Sequence, residues 1–380
     1  MIVISAQAFP PSSGGIQTLI AGLAHAASEN HAVHVLADGG RDTAAFDKAN
    51  KPPYSVTRFG GLKPLRRRVK AKAVTKMCID NSVSHVFCDS WKSAEHLPAE
   101  LPCPVIVYAH GNEFPQINTP LNTQVTKKRA RIAKALTCAD HIISVSKQTA
   151  ERAALCLPDH NPAPIHIRPN PVHEAAIASA ENRGIIDAAW AKIDPDNDAA
   201  RLLSLSRLID WKGVDAAIMT VRDLRAQGYK AVLIIAGDGP DQARLKDIIQ
   251  REHLGSFVHF IGRVEGGTKT ALFESAHIFM QAGRKVGDQC EGFGITYIEA
   301  GLAGLPSISG NQGGAPEAVI DGETGFVVDG TQQAAVNAAV IRLIDEDASA
   351  HHMSQNAQTH ANRLLWHKQI DQILNLSKGT

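Results

Sequence analysis

Glu291-Gly292-Phe293-Gly294-Ile295-Thr296-Tyr297-Ile298-Glu299-Ala300 holds two carboxylates eight positions apart across a predicted helix start. At 1.5 Å of rise per residue they stand about 12 Å apart along the axis. That is too far for a paired acid and base acting on one bond, yet it suits gripping two parts of one long ligand. Gly292 and Gly294 leave the backbone N–H groups of Phe293, Ile295 and their neighbours open to an anion, and the helix dipole adds to the attraction. A diphosphate fits there, with a sugar near Glu291 and a ribose near Glu299. A capped helix with one surface glutamate and one satisfied glutamate is the plainer alternative.

Other residues share this chemistry. Arg207 and Lys212, in Ser206-Arg207-Leu208-Ile209-Asp210-Trp211-Lys212-Gly213, follow a predicted strand at the sheet edge where doubly wound folds bind ligands. Two cations there can neutralise a diphosphate leaving group; a solvated turn would carry them for no such reason. Gly237-Asp238-Gly239-Pro240 ends the next strand and Gly262-Arg263 the one after. In the first half, Gly14-Gly15 opens a helix and again presents backbone donors, but it is not a GxGxxG, so a bound dinucleotide cofactor is disfavoured. His110 follows the strand Val105 to Ala109, which puts an imidazole at a strand end, a position a structural histidine can also fill.

The elements that must position these groups alternate as βα units around parallel sheets. From Ala200 onward the expected strands are Leu202 to Leu208, Ala231 to Ala236, Val258 to Ile261, His277 to Gln281, Pro306 to Ser309 and Phe326 to Val328, with helices at Asp215 to Gln227, Asp241 to Glu252, Thr268 to Ser275 and Phe293 to Ala303. The first half alternates less cleanly, with strands at Ile2 to Ser5, His34 to Ala37, His85 to Cys88, Val105 to His110 and His141 to Val145. The expected division is a first α/β domain over 1–172, a linker over 173–199, a second over 200–350, and a C-terminal helix over 351–380 that packs back on the first. Within the linker, Asp194-Pro195-Asp196-Asn197-Asp198 superficially matches a calcium loop. Ala199 stands where the glycine should be and Leu205 where the glutamate should be, so it reads as a solvated loop.

A chain of 380 residues exceeds one hydrophobic core, and 44% apolar with 20% charged residues is ordinary for a globular protein. No apolar run is long enough to span a bilayer, and Met1-Ile2-Val3-Ile4-Ser5 reads as a strand without a basic leader. The six cysteines lack CxxC spacing, which fits packed thiols in a reducing compartment. A net charge of +1 hides an asymmetry: residues 1–172 hold 20 Lys and Arg against 12 Asp and Glu, a net of +8, and the remainder is −7. Leu62 to Ile79 contributes Lys63, Arg66, Arg67, Arg68, Lys70, Lys72 and Lys76 with Leu65, Val69, Ala73 and Met77 at i+4, the pattern of a helix lying on an anionic leaflet or of an ordinary exterior helix. Arg66, Arg67, Arg68 and Lys70 are its candidate membrane contacts. The basic stretches lack interleaved aromatics, which argues against nucleic acid.

Gly14-Gly15, His110-Gly111, Ser206-Arg207-Leu208 with Lys212-Gly213, Gly237-Asp238-Gly239, the Glu291 to Glu299 spacing and Gly310 to Glu317 (GNQGGAPE) together resemble the retaining glycosyltransferases of family 4. Gly262 to Glu299 looks most like their phosphatidylinositol mannosyltransferase branch. The resemblance implies the GT-B fold, two Rossmann-like domains facing a cleft. It implies Arg207 and Lys212 on the donor diphosphate, Glu291 on the sugar hydroxyls, Glu299 on the ribose, Gly15 near the phosphate and His110 beside the sugar. It also implies a metal-independent transfer of a mannose- or glucose-type hexose that retains configuration, with a GDP- or UDP-sugar as substrate, no separate cofactor, and a lipid or envelope-glycan acceptor at the inner face of the cytoplasmic membrane. A soluble transferase acting on a small metabolite, a UDP-sugar epimerase and a non-catalytic sugar-nucleotide sensor share the architecture.

Overall fold

The computed structural model describes residues 1–117, 122–158, 160 and 162–377. It divides into two units, one made of Met1–Val172 with the segment from Leu365 onward, the other of His173–Leu364. In the first, the elements run β1 (Ile2–Ala6), α1 (Gly15–Ser28), β2 (Val33–Asp38), α2 (Thr43–Ala49), β3 (Ser55–Phe59), α3 (Lys63–Asp80), β4 (His85–Cys88), α4 (Trp91–Ala94), β5 (Val105–Ala109), α5 (Thr123–Ala135), β6 (His141–Ser144), α6 (Lys147–Ala154) and β7 (Ile165–Ile167). The second contains α7 (Ala180–Ala191), β8 (Ala200–Leu205), α8 (Val214–Ala226), β9 (Ala231–Ala236), α9 (Gln242–Arg251), β10 (Val258–Gly262), α10 (Gly266–Ser275) and β11 (Ile278–Gln281). It continues with α11 (Ile295–Leu302), β12 (Ser307–Gly310), α12 (Ala315–Ala318), β13 (Gly325–Val328), α13 (Gln333–Asp345) and α14 (Asp347–Arg363), and α15 (Trp366–Leu374) returns to the first unit.

The sheets are ordered β3-β2-β1-β4-β5-β6-β7 and β10-β9-β8-β11-β12-β13, with parallel pairs throughout. Both are doubly wound sheets, the Rossmann-like architecture expected. Helices cover both faces, so the central strands are apolar along their length: every residue of Ile2–Ala6 and of Ala231–Ala236 is buried. β3 and β7 escaped the sequence reading because they are edge strands with half-exposed, mixed patterns, Ser55-Val-Thr-Arg-Phe and Ile165-His-Ile.

The stretch read as a linker over 173–199 is instead a packed helix. Ser179 and Asn182 form a reciprocal capping box at the start of α7, the second unit's α10 packs against it, and Trp190 is fully buried with its indole N–H donated to Ser275 Oγ at 2.9 Å. Alanine and asparagine richness suggested a break in the alternation, but alanine is the strongest helix former and the cap was the overlooked signal. Asp194, read as part of a solvated loop, is 5% exposed. One of its oxygens accepts the N–H groups of Asp198 and Ala199, and the other takes the Arg201 guanidinium at 2.9 Å.

The terminal segment also divides differently from the expected single helix over 351–380. α14 buries Met353, Ala357 and Ala361 and lies against α11 in the second unit. The chain crosses at Leu364-Leu365, after which α15 buries Trp366, Ile370 and Ile373 and packs on α1. The Trp366 N–H donates to Val172 O at 3.0 Å, while His85 and His141 donate to the carbonyls of Leu376 (3.2 Å) and Ser377 (2.6 Å). All six cysteines are free and buried.

Replacing Trp190 with Ala tests whether α7 belongs to the second unit's core. Burial and the indole bond place the loss at about 3–5 kcal/mol in urea unfolding; a mere linker residue would cost less than about 0.5 kcal/mol.

Candidate active site

In the second sheet the strand order reverses between β8 and β11, and ligands of open α/β sheets bind beyond the carboxyl ends of the strands at such a point. The two loops leaving those ends carry Lys212 and Glu291. After β8 the chain makes a short turn, Asp210–Lys212, and enters α8 through Gly213, which adopts the left-handed conformation (φ 74°) against the carbonyl of Ala282. A Cβ at Gly213 would lie 2.1 Å from that oxygen, so any other residue would push the β8 loop away from β11.

This close approach brings the Lys212 ammonium into direct contact with Glu291 Oε2, each side chain being 13% exposed. The same oxygen accepts from Gln281 Nε2 at 2.9 Å. Oε1 has no hydrogen bond among the described residues. The Glu291 carbonyl accepts the Gly314 N–H at 2.9 Å, and Gly313 (φ 75°) passes so close that a Cβ would sit 2.0 Å from it. The GNQGGAPE run therefore works as backbone that clamps Glu291.

Asp215, in the first turn of α8, ties the loops together. Arg284, from the loop after β11, binds both its oxygens at 2.8 and 2.7 Å, and Arg244 of α9 adds a third contact at 3.0 Å. The Arg284 N–H also donates to Trp211 O at 2.9 Å. Burial alone would raise the Asp215 pKa; the Arg284 hydrogen bonds and charge, with Arg244, outweigh it and hold the carboxyl below its ordinary value.

The remaining expected donor residues differ in what they offer. Arg207 is exposed and makes no ion pair among the described residues, so its guanidinium is free for an anion. Glu299 projects from α11 and pairs with Lys269 of α10 at 2.7 Å, a partner the sequence did not reveal. Gly292, Gly294 and Ile295 form the turn into α11, with Gly294 in the left-handed region. Phe293 is 1% exposed, so any contact it makes with a ligand is through its backbone. The Gly237 N–H is already donated to Gly262 O at 2.7 Å and the Asp238 carbonyl accepts Leu208 N–H at 2.7 Å; these two brace neighbouring loops instead of presenting free donors. Arg263 turns to Glu265 at 2.9 Å on the surface.

In the first unit, Gly14 and Gly15 lie exposed at the start of α1 as expected. His110 donates through Nε2 to Asp89 O at 2.7 Å and its N–H binds Glu113 Oε1 at 2.6 Å, which fixes the ring, stacked on Tyr108. The membrane reading of α3 needs correction. Lys70 is 1% exposed and donates to Ala6 O and Asp38 Oδ1, Arg66 pairs with Asp38 at 2.8 Å, and Arg67 with Glu95 at 3.0 Å. Of the four proposed contacts only Arg68 faces solvent. Helical spacing put three of the cations on the side facing the sheet, where carboxylates at strand and helix ends absorb them.

Residues 13–175 match the model of Glycosyltransferase Family 4 and residues 187–360 that of Glycosyl transferases group 1, so the two matches fall on the two units. The chain is a glycosyltransferase made of these two domains. The transferase is 27% identical over 354 residues, 90% of its own length and 88% of the relative's, to a protein of Mycolicibacterium smegmatis named GDP-mannose-dependent alpha-(1-6)-phosphatidylinositol monomannoside mannosyltransferase. Its likeness to the protein of that name in Mycobacterium tuberculosis is 28% over 362 residues, covering 89% and 88% of the chains. The fold is that of GT-B glycosyltransferases: the structure aligns with HepE of Anabaena in complex with UDP (TM-score 0.76, 17% identity, 98% of each chain) and with sucrose-phosphate synthase of Thermosynechococcus elongatus (TM-score 0.76, 17% identity, 98% and 96%).

Changing Asp215 to Asn should destabilise the second unit by roughly 1–3 kcal/mol at neutral pH, because Arg284 loses its carboxylate partner and Arg244 keeps only Asp241. The stability Asp215 supplies exists above the unfolded carboxyl pKa of about 3.9 and disappears as pH falls through the lower folded value. Urea midpoints of variant and wild type should therefore stay apart from about pH 7 down to about pH 4 and converge only as the pH falls further.

Proposed function

We propose that the transferase moves mannose from GDP-mannose to a glycolipid acceptor of the phosphatidylinositol mannoside class, with retained configuration and no metal. The observation that carries this reading is the Lys212–Glu291 pair at the switch point of the second sheet, with Glu291 held so that one carboxylate oxygen stays open. The donor and acceptor follow from relatives of that specificity along nine-tenths of the chain.

In the proposed reaction Arg207 and Lys212 bind the diphosphate, Glu291 Oε1 the mannose hydroxyls and Glu299 the ribose diol. The bond from the anomeric carbon to the phosphate oxygen breaks and a bond to the acceptor hydroxyl forms on the same face. The departing phosphate oxygen takes the hydroxyl proton, and GDP leaves. Two cations beside a helix start supply the charge stabilisation that a metal supplies in other folds. Lys212 already sits beside a carboxylate, so it is placed before the donor arrives.

The acceptor side is proposed to be the outward face of α3 on an anionic leaflet. With Arg66, Arg67 and Lys70 turned inward, that face still carries Arg68, Lys72 and Lys76, and it carries Leu62, Leu65, Val69 and Ile79 at 73%, 57%, 54% and 72% exposure. Apolar side chains of that size left in water beside lysines are what an interfacial helix presents. No helix of the described residues is long and apolar enough to cross a membrane, so attachment would be peripheral.

Two measurements test this. GDP-mannose, and not UDP-glucose, should raise the melting temperature of the wild type; Lys212→Ala should abolish that rise and lower transfer to phosphatidylinositol monomannoside at least about 100-fold. Changing Arg68, Lys72 and Lys76 to Glu should release the protein from anionic vesicles in a salt-dependent co-sedimentation assay, each charge contributing about 1 kcal/mol of attraction, with the melting temperature unchanged.

A further inference from the structure

Gln281 ends β11 beneath the site, and its environment is unusual. It is 1% exposed, and its Nε2 donates to Glu291 Oε2 at 2.9 Å while its Oε1 is buried with no hydrogen-bond partner. Leaving a buried amide half satisfied is unfavourable, and a leucine or methionine would fill the same space without an unpaired acceptor. The backbone there is pinned as well: the Gln281 carbonyl accepts both the Tyr297 hydroxyl at 2.6 Å and the Gly283 N–H at 2.7 Å. Tyr297 is in turn fixed edge-on to Phe279, whose other side meets Phe273. A chain of buried aromatics thus aims one amide N–H at one carboxylate oxygen.

Lys212 grips that same oxygen, but Lys212 is a cation beside the place where a diphosphate arrives, and the two anions compete for it. The amide of Gln281 is neutral and enclosed, so an incoming diphosphate offers it nothing. On the reading of the donor site proposed above, we infer that Gln281 is the positioning residue for Glu291: it keeps Oε2 fixed while Lys212 turns to the diphosphate, so that Oε1 meets the hexose hydroxyls in one orientation. Its effect is confined to the sugar half of the donor.

The test compares Gln281→Leu, Gln281→Glu, Glu291→Gln and wild type by calorimetric binding of GDP and of GDP-mannose, and by transfer rate. Gln281→Leu should bind GDP within about twofold of wild type, showing an intact fold, yet lose about 10- to 100-fold in kcat, the scale of one hydrogen bond to a charged group. In Gln281→Glu a second carboxylate faces Glu291, with Lys212 and the Tyr297 hydroxyl the other titratable groups beside the pair. It can donate only when protonated, so this variant should gain activity relative to Gln281→Leu as pH falls from about 8 to about 6. Wild-type kcat in Gln281→Leu, an equal loss of GDP binding, or a Gln281→Glu pH profile parallel to wild type would overturn the assignment. The donor reading fails separately, by a fully active Glu291→Gln or by a wild type that binds neither ligand.

Discussion

Two opposite charges are pressed together at the switch point of the second sheet, and much of that unit is arranged so that neither can drift. Lys212 is delivered by a loop whose Gly213 must lie against the backbone of β11, and Glu291 by a loop whose carbonyl is clamped by Gly313 and Gly314. Asp215 then locks the two loops through Arg284. A partly desolvated ion pair contributes little to net stability unless its geometry is good and its remaining bonding positions are filled. Here Gln281 and Lys212 together fill one oxygen and leave the other open, which is poor for stability and suited to recognition. The glycines of these loops are therefore spacing devices for a charge pair, and their value lies in letting backbones approach within hydrogen-bond range.

Local charge, and not the charge of the half-chains, decides where an anion goes. The second half of the sequence is acidic overall, and still it holds the lysine and the free arginine of the proposed donor site. Much of the basic excess of the first half is neutralised inside its own unit: Arg58 by Asp47, Arg66 and Lys70 by Asp38, Arg67 and Arg131 by Glu95. What remains for an outside partner is a narrower set on the outer face of α3. Counting charges along the chain does not tell which cations of α3 are neutralised, because the count does not know which face of the helix meets the sheet.

The sheets were legible for a simple reason. Buried parallel strands such as Ala231–Ala236 are continuous apolar runs, and the loops that follow them carry the glycines and charges. The site residues on those loops, Lys212 and Glu291, could be named because loop position follows from strand position. What could not be read were groups whose role depends on a neighbour distant in sequence. Gln281 looks like the polar end of an apolar strand until Glu291 folds over it, Lys269 like any helix lysine until Glu299 faces it, and Asp215 like a first-turn acid until Arg284 returns to it. Ser179 with Asn182 is different: both halves of that capping box lie three residues apart in an alanine-rich stretch, so the helix start is local in sequence.

The two units close their switch points by different means, and the difference fits the donor site proposed for the second. In the first unit, Asp89 after β4 uses one oxygen to accept the N–H groups of Gln7 and Ala8 after β1, both at 2.7 Å, and the other to hold Ser93 at 2.5 Å. Backbone donors that could meet a phosphate are consumed by a buried carboxylate, and a further anion there would meet an acid, leaving the exposed start of α1 as that unit's open set of amides. The corresponding gap in the second unit is bridged by the Arg284 N–H and guanidinium, so the structural tie is cationic and the carboxylate that completes it, Asp215, is already saturated. An arriving diphosphate therefore meets net attraction in the second unit and competition in the first. One topology, closed by an acid in one copy and by a base in the other, is enough to divide the labour between two sheets of the same order.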